Sequence, residues 1–414
     1  MIRRVRIGCC ALALGLACAV PATAQSLTQR GFVDVGLALF PQEAPGDRTQ
    51  ATLDVLVREE LFARPRRWLR VAGGVEVRGN THAQVERAWR LDLGDRRERR
   101  PMLGVRRLTA TVTRGPLTID VGKQFIRWGK ADIVTPTDHF APRDFLTVID
   151  AGFLAVPAAR IVAQQGAETL DVVWQPRFTP SRLPLVDQRW TVRPTGSDGV
   201  RLLPSALALP TRDQVGARWS HTGVGYEFSV SGFDGINHLP NLVAVPAATV
   251  RELLVLRHYP RVRSFGADAA WPTRWLTLKG EAAVFRARDS NADDYVLYVV
   301  QVERQTGEWL LLGGYAGEVV TTRRVPTPFA PDRGLTRAVV ARASYTVDSN
   351  RSVTLESAVR QNGHGVYVKG EYSQARGAHW RATVSGVVLA GRSDDFLGQY
   401  RRNSNLTLSL RYSF

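Results

Sequence analysis

From residue 31 to the C-terminus, apolar side chains recur at every second position in runs of about ten residues, each closed by turn-forming residues. The last run is the clearest. Leu406, Leu408, Leu410, Tyr412 and Phe414 share one face of an extended chain, and Thr407, Ser409, Arg411 and Ser413 share the other. In Ser352–Arg360, Val353, Leu355 and Val359 oppose Thr354, Glu356 and Arg360; in Val366–Ser373, Val366, Val368 and Tyr372 oppose Tyr367, Lys369, Glu371 and Ser373. A soluble sandwich also alternates, but charges on one face and aliphatics on the other, strand after strand, predict lipid outside and a wet lumen inside. The expected fold is all-β: a transmembrane antiparallel β-barrel with a loop folded inward.

Strands are predicted at about 31–40, 48–60, 67–79, 104–114, 117–127, 158–166, 168–176, 213–221, 223–233, 260–271, 274–286, 292–304, 307–319, 335–347, 350–362, 364–376, 378–390 and 403–413. That makes about eighteen, within a range of sixteen to twenty. With this count the long connections 80–103, 128–157, 177–212, 234–259, 320–334 and 391–402 fall on one side, and tight links such as Arg114-Gly115-Pro116 and Gln165-Gly166-Ala167 on the other. Short periplasmic turns and long outer loops are the pattern of such barrels. Counting 81–93 or 250–259 as strands would spoil the parity, so both are expected to be loop segments.

The N-terminus supports export. Arg3, Arg4 and Arg6 precede an apolar run from Ile7 to Val20 and the small-residue site Ala22-Thr23-Ala24, which together predict a signal peptide over 1–24 and a barrel over 25–414. The apolar run is shorter than the roughly 20 residues a membrane-spanning helix needs. All three cysteines (Cys9, Cys10, Cys18) lie in that leader, so the mature chain is expected to have no thiol for a disulfide, a zinc site or a nucleophile. Losing three leader arginines takes the net charge from +17 to +14. So basic a balance invites a nucleic-acid reading, but export and the scatter of arginines along the chain argue against it. The expected surroundings are the outer membrane, its lipid and lipopolysaccharide, whose phosphates suit rim arginines such as Arg96, Arg97, Arg99 and Arg100.

An eighteen-stranded barrel leaves an aqueous channel unless something fills it. The most distinctive candidate is Gly122–Asp150, GKQFIRWGKADIVTPTDHFAPRDFLTVID. Its aromatics Trp128, Phe140 and Phe145 are expected to anchor it to the inner wall, with Arg127, Lys130, Asp132, Asp138, His139, Arg143 and Asp144 forming a channel constriction. A purely bracing role for Arg143 and Asp144 is the structural alternative.

Within that segment, Gly122-Lys123-Gln124, Trp128-Gly129, Asp132, Pro136, Asp138, Phe140 and Pro142-Arg143-Asp144 resemble a motif of proteobacterial outer-membrane proteins related to alginate-export-type porins. The resemblance implies an eighteen-stranded monomeric barrel with charged residues lining a selective passage. It does not bring alginate as the solute, because no substrate-contacting residue of that family matches a position here. The terminal Tyr412 and Phe414 resemble the assembly signal read by the barrel assembly machinery, and they also suit an aromatic girdle.

Inward-facing basic candidates are Arg58, Arg70, Arg78, Arg107, Arg160, Arg218, Lys279, Arg342, Arg360, Lys369, Arg381 and Arg411. The acidic ones are Asp34, Asp54, Glu60, Glu76, Asp171, Glu227, Asp268, Glu281, Glu356 and Glu371. The near balance predicts only a modest preference for anions. Neither a Gly-x-Ser-x-Gly elbow nor a His-Glu-x-x-His pair occurs, and no His/acid cluster has ligand spacing, so neither an enzyme nor a metal or other cofactor is expected. Asp138-His139 is the one pair that invites a catalytic test. The expected function is a porin-like channel for small polar or anionic solutes, constricted by the loop at 128–157. A structural or adhesive barrel, a lipid transporter and, last, an outer-membrane hydrolase are the alternatives.

Overall fold

In a computed structural model the protein is described over residues 26–193, 199–247, 249, 251–325 and 330–414. The expected signal peptide lies outside the described residues. Eighteen strands form the wall: β1 Ser26–Leu39, β2 Ala51–Arg66, β3 Leu69–Asn80, β4 Leu103–Arg114, β5 Leu117–Gln124, β6 Val156–Gln165, β7 Glu168–Gln175, β8 Gln214–Gly223 and β9 Tyr226–Ile236. The second half comprises β10 Arg261–Pro272, β11 Thr277–Ala287, β12 Asp294–Thr306, β13 Trp309–Thr322, β14 Ala338–Asp348, β15 Arg351–Arg360, β16 Gly365–Arg376, β17 Trp380–Gly391 and β18 Asn405–Ser413. Each pairs antiparallel with its neighbour in sequence. The sheet then closes on itself, β1 against β18 from Phe32↔Ser413 to Leu39↔Leu406, with Gly31 and Phe414 exchanging both backbone hydrogen bonds at 2.9 Å. Closure removes the two edges that an open sheet would leave unpaired in lipid.

The expected alternation decides the faces. Leu406, Leu408, Leu410 and Tyr412 point outward and are exposed, while Arg411 turns inward and donates to Asp34 Oδ2 at 2.8 Å. Outward aromatics collect where the short turns lie: Trp68, Tyr226, Trp271, Trp275, Trp309, Tyr372, Trp380, Tyr412 and Phe414. They form the girdle of one membrane interface. The turns there are tight; Gln165↔Glu168 leaves a two-residue link whose Gly166 sits at φ 59°, where a side chain would be strained. At the other end lie the long loops L1 (40–50), L2 (81–102), L3 (125–155), L4 (176–213) and L5 (237–260).

Three differences from the sequence pattern have local causes. The first hairpin is longer, because Ser26–Arg30 pair with Glu60–Arg64 below the rest of the wall. β5 stops at Gln124 rather than near 127: Gly122 adopts φ 125°, and a Cβ there would lie 2.1 Å from the Leu108 carbonyl oxygen, so the chain leaves the wall at a point only glycine tolerates. Residues 250–259, expected as loop, contain the strand Glu252–His258, but it pairs with Arg201–Pro204 and Asn241–Pro246 in a separate three-stranded sheet made by L4 and L5. The count of wall strands is unaffected.

Candidate channel constriction

L3 runs from the β7 side of the barrel to the β16 side. It begins with Ile126 and Trp128, both buried, which pack with Phe140, Val156, Val173, Phe233 and Val262 against the inner wall. Trp128 meets Phe140 edge-on with ring centroids 5.3 Å apart, and Phe140 meets Phe233 edge-on at 5.1 Å. The indole nitrogen of Trp128 donates to Asp171 Oδ2 at 2.9 Å on β7, a carboxylate that also takes Arg160 Nη2 at 2.7 Å. This seat depends on Gly216 of β8. A Cβ there would lie 2.8 Å from Phe140 and 2.9 Å from Trp128. Phe145 packs with Leu183 and Leu239, so it ties L3 to L4 and L5 rather than to the wall.

The next stretch is held by its backbone. Glu281 of β11, itself buried, accepts from Lys130 N at 3.0 Å and Ala131 N at 3.1 Å through one oxygen, and from Thr137 N at 2.7 Å and Thr137 Oγ1 at 2.8 Å through the other. Gln301 of β12 accepts from Asp132 N at 2.9 Å and donates to Asp132 Oδ2 at 2.6 Å. Four donors on one carboxylate satisfy N–H groups that an irregular loop would otherwise leave buried and unpaired. At the far end Asp150 receives Lys369 Nζ of β16 at 3.3 Å.

The residues expected to line the constriction divide into two groups. Asp138, His139 and Asp144 lie inside the packing. Asp138 Oδ1 accepts from Trp128 N at 2.7 Å and Gly129 N at 2.8 Å, closing the loop on itself. His139 stacks on Phe233 at 5.1 Å and its Nε2 lies 2.8 Å from Ser264 Oγ of β10. Burial lowers the His139 pKa to about 4, only partly offset by Asp138, so the ring is neutral at neutral pH. The Asp138 carboxylate is engaged by Arg127 and the two backbone N–H groups, so no Ser-His-acid relay is assembled there. Asp144 accepts from Arg100 Nε of L2 at 2.8 Å and Arg182 Nη1 of L4 at 3.0 Å, and Arg182 continues to Asp95 at 2.5 Å. Burial pushes the Asp144 carboxyl up, but the two guanidiniums outweigh it and hold the group well below the usual carboxylate range.

Arg127, Lys130, Asp132 and Arg143 keep more contact with the lumen. Lys130 reaches Glu227 at 2.7 Å and Asp268 at 3.5 Å, and Asp132 meets Lys279 at 3.2 Å. The guanidiniums of Arg127 and Arg143 lie 4.0 and 4.3 Å from the ring centre of Phe153.

Across from this edge stands a basic wall. Glu76 of β3 is shared by three guanidiniums: Arg58 of β2 at 2.7 Å, Arg78 at 2.7 Å and Arg106 of β4 at 3.2 Å. Arg58 and Arg411 lie against Phe32, at 4.9 and 4.3 Å, and Arg106 against Phe125 at 4.8 Å. A space of about 220 Å³ separates wall from loop; Arg58, Arg78 and Arg106 line one side and Asp150 and Phe153 the other. The alternating pattern pointed to Arg107. It missed Arg106, because the register slips between Gly74 and Val75 and turns one extra residue of β4 inward. The inward phenylalanines and the gripping role of Glu281 also went unseen; strand glycines opposite an aromatic loop, such as Gly216, were the available signal.

A closed eighteen-stranded antiparallel barrel with an apolar exterior, an aromatic girdle and a charged, loop-crossed interior is the fold of porin-type outer-membrane barrels. Known structures of this class superpose along nearly the whole chain. Acinetobacter baumannii OccAB4 matches with a TM-score of 0.56 at 7% identity, over 95% of this chain and 100% of that one. A BenF-like porin from Pseudomonas fluorescens Pf-5 matches with a TM-score of 0.55 at 8% identity, over 95% and 99%. Pseudomonas aeruginosa OccK3 (OpdO) matches with a TM-score of 0.52 at 10% identity, over 93% and 95%. At these identities the likeness is one of fold. No protein-family model matches the sequence, and no curated protein does. The wider part of the resemblance drawn from Gly122–Asp144, an eighteen-stranded porin-type barrel, agrees with these structures; they do not single out the alginate-export type.

Proposed function

We propose that the protein is a channel for small anionic or polar solutes, narrowed by L3, with the solute passing between the basic wall and the loop edge at Phe153. The observation that carries this reading is the gathering of Arg58, Arg78 and Arg106 around the carboxylate of Glu76, with Glu60, 4.0 Å from Arg106, already paired to Arg30 at 2.7 Å. Arg30, Arg58, Arg78 and Arg106 against Glu60 and Glu76 leave a local positive excess in a confined space, where field lines concentrate and anions gather. The other acidic groups lining this space are each matched by a cation, Asp144 by Arg100 and Arg182, Asp95 by Arg182 and Asp150 by Lys369, and further off Asp171 and Asp268 are matched by Arg160 and Arg218. In this reading Arg127, Lys130, Asp132 and Arg143 face the passage, while Asp138, His139 and Asp144 keep the loop in shape. The motif from Gly122 to Asp144 serves to seat L3 and names no solute. Tyr412 and Phe414, outward on the closing strand, are the surface we assign to the assembly machinery.

The test is single-channel conductance in planar bilayers, with reversal potential under a salt gradient. Steady, mildly anion-selective current is expected. It rises when residues 130–150 are removed, and its selectivity shifts toward cations in R58Q/R78Q. A silent barrel, with and without the loop, refutes the channel.

A further inference from the structure

The outer rim holds a cleft that no solute path through the lumen uses. Because β5 turns inward after Gln124, the edge of β4 above it is left without a neighbour, and Leu91–Asp92 of L2 occupies it, pairing in parallel with Leu103 and Gly104. Leu91 shares the face of its partner Leu103, which pairs with Val77 on the outward side of β3. L2 therefore prolongs the lipid-facing surface, and Trp89, Leu91 and Leu93 are exposed.

Beside this segment lies an open, shallow cleft of about 720 Å³ walled by Leu91, Leu93, Leu207 and Leu209, by Arg90, Arg96, Arg97 and Arg177, and by the one carboxylate Asp92. Its height follows from β7. Trp174 is exposed on the lipid face near the end of β7, and Arg177 follows in the bend just past Gln175, at the rim where a bilayer changes from acyl chains to head groups.

The charges in the cleft are unevenly matched. Glu86 takes Arg97 at 2.9 Å and Arg90 at 3.9 Å, and Asp92 caps the N–H groups of Gly94 and Asp95 at 2.8 Å through one oxygen while the other lies 3.6 Å from Arg97. Among the described residues neither Arg96 nor Arg177 has an acidic partner, and the Nε of Arg96 is buried without a hydrogen bond. Burial and then the repulsion of Arg177 lower the Arg96 pKa. Two like charges on the wall of one cleft, neither with an acidic partner, repel each other unless an anion neutralises them, and the neighbouring leucines select one that carries alkyl chains.

We propose that this cleft binds an acylated, phosphorylated glycolipid of the outer leaflet, its phosphate bridging Arg96 and Arg177 and an acyl chain lying on Leu91 and Leu93. The inference rests on the barrel's place in the outer membrane and not on what passes through it. Native mass spectrometry of the detergent-solubilised barrel tests it, titrating with diphosphorylated lipid A, with the same lipid stripped of phosphate, and with inorganic phosphate. Diphosphorylated lipid A is expected to bind the unaltered protein and to lose at least about tenfold in affinity in R96Q/R177Q, the scale of one charge-assisted hydrogen bond. The variant R376Q, at the opposite rim, should bind like the unaltered protein. Equal binding by R96Q/R177Q and R376Q overturns the proposal, as does equal binding of the dephosphorylated lipid. Capture of inorganic phosphate with no preference for the lipid also overturns it, reducing the cleft to a simple anion site. Single-channel conductance of R96Q/R177Q should match the unaltered protein, so loss of the channel reading and loss of the lipid site appear in different measurements.

Discussion

Glu281→Ala tests how far the Lys130–Thr137 stretch of L3 depends on the Glu281 carboxylate, beside the anchor that Gln301 gives Asp132. The substitution removes the acceptor for Lys130 N, Ala131 N, Thr137 N and Thr137 Oγ1. Hydrogen bonds to a charged group contribute roughly 1.5–3 kcal/mol each, but a released loop regains water in the lumen, so the ordinary net value of about 1–1.5 kcal/mol applies to each of the four and the docked state loses about 4–6 kcal/mol. Glu281→Gln keeps one carbonyl oxygen and turns an NH₂ toward the other donors, so it should lose about half as much, roughly 2–3 kcal/mol. The aromatic seat of Trp128 and Phe140, the Gln301 bonds to Asp132 and the packing of Ala131 and Val134 on Val299 and Ala316 are untouched, so the segment from Lys130 to Thr137 should loosen and open transiently while the rest of L3 stays docked. Two readouts follow from that partial release: a larger and noisier single-channel conductance, graded alanine above glutamine, and new protease cleavage between residues 130 and 137. Barrel folding, followed by the heat-dependent shift in gel mobility, should be unchanged. If E281A conducts like the unaltered protein and its loop stays resistant to protease, the carboxylate does not hold the loop and the reasoning fails.

Gly216→Val should push Phe140 and Trp128 off the wall; overpacking of this kind costs about 1–3 kcal/mol, and collisional quenching of Trp128 fluorescence, isolated by difference against W128F, should rise. Asp144→Asn leaves Arg100 and Arg182 without their shared anion, which should weaken the L2–L3–L4 assembly by about 3–5 kcal/mol and expose L4 to protease. In the unaltered protein the Asp144 pKa is depressed, so this contribution is complete above the ordinary carboxylate range near 3.9 and is lost only as pH falls through the lower docked value. His139 moves the other window. Its docked pKa of about 4 lies below the ordinary 6.5, so the released loop binds the extra proton more readily. Docking is at full strength above pH 6.5 and weakens by up to about 3 kcal/mol as pH falls toward 4. Conductance noise should grow over that range and lose its pH dependence in H139Q; a pH profile identical in both proteins would count against a buried neutral imidazole.

Much of this architecture is local and therefore legible in the chain. Side chains alternate with a period of two along a strand, so the lipid and lumen faces of β18 and β15 can be read directly from residues such as Leu408 outside and Glu356 inside, and the contrast of tight turns with long loops orients the barrel. The segment from Gly122 to Asp150 also announced itself, because large aromatics among charges need a wall to pack on. What those charges do was not legible. Asp138 and Asp144 look the same in sequence whether they face water or brace buried backbone and guanidiniums, and only the folded loops bring Trp128 N, Arg100 and Arg182 to them. The same limit applies to Arg106, turned inward by a one-residue slip, and to Glu281, which meets its loop partners across about 150 positions of chain. The fold class is set by a repeating short-range pattern. The passage is set by which distant residues meet once the sheet has closed, since the energy of a buried charge depends on its neighbours in space and not on those in sequence.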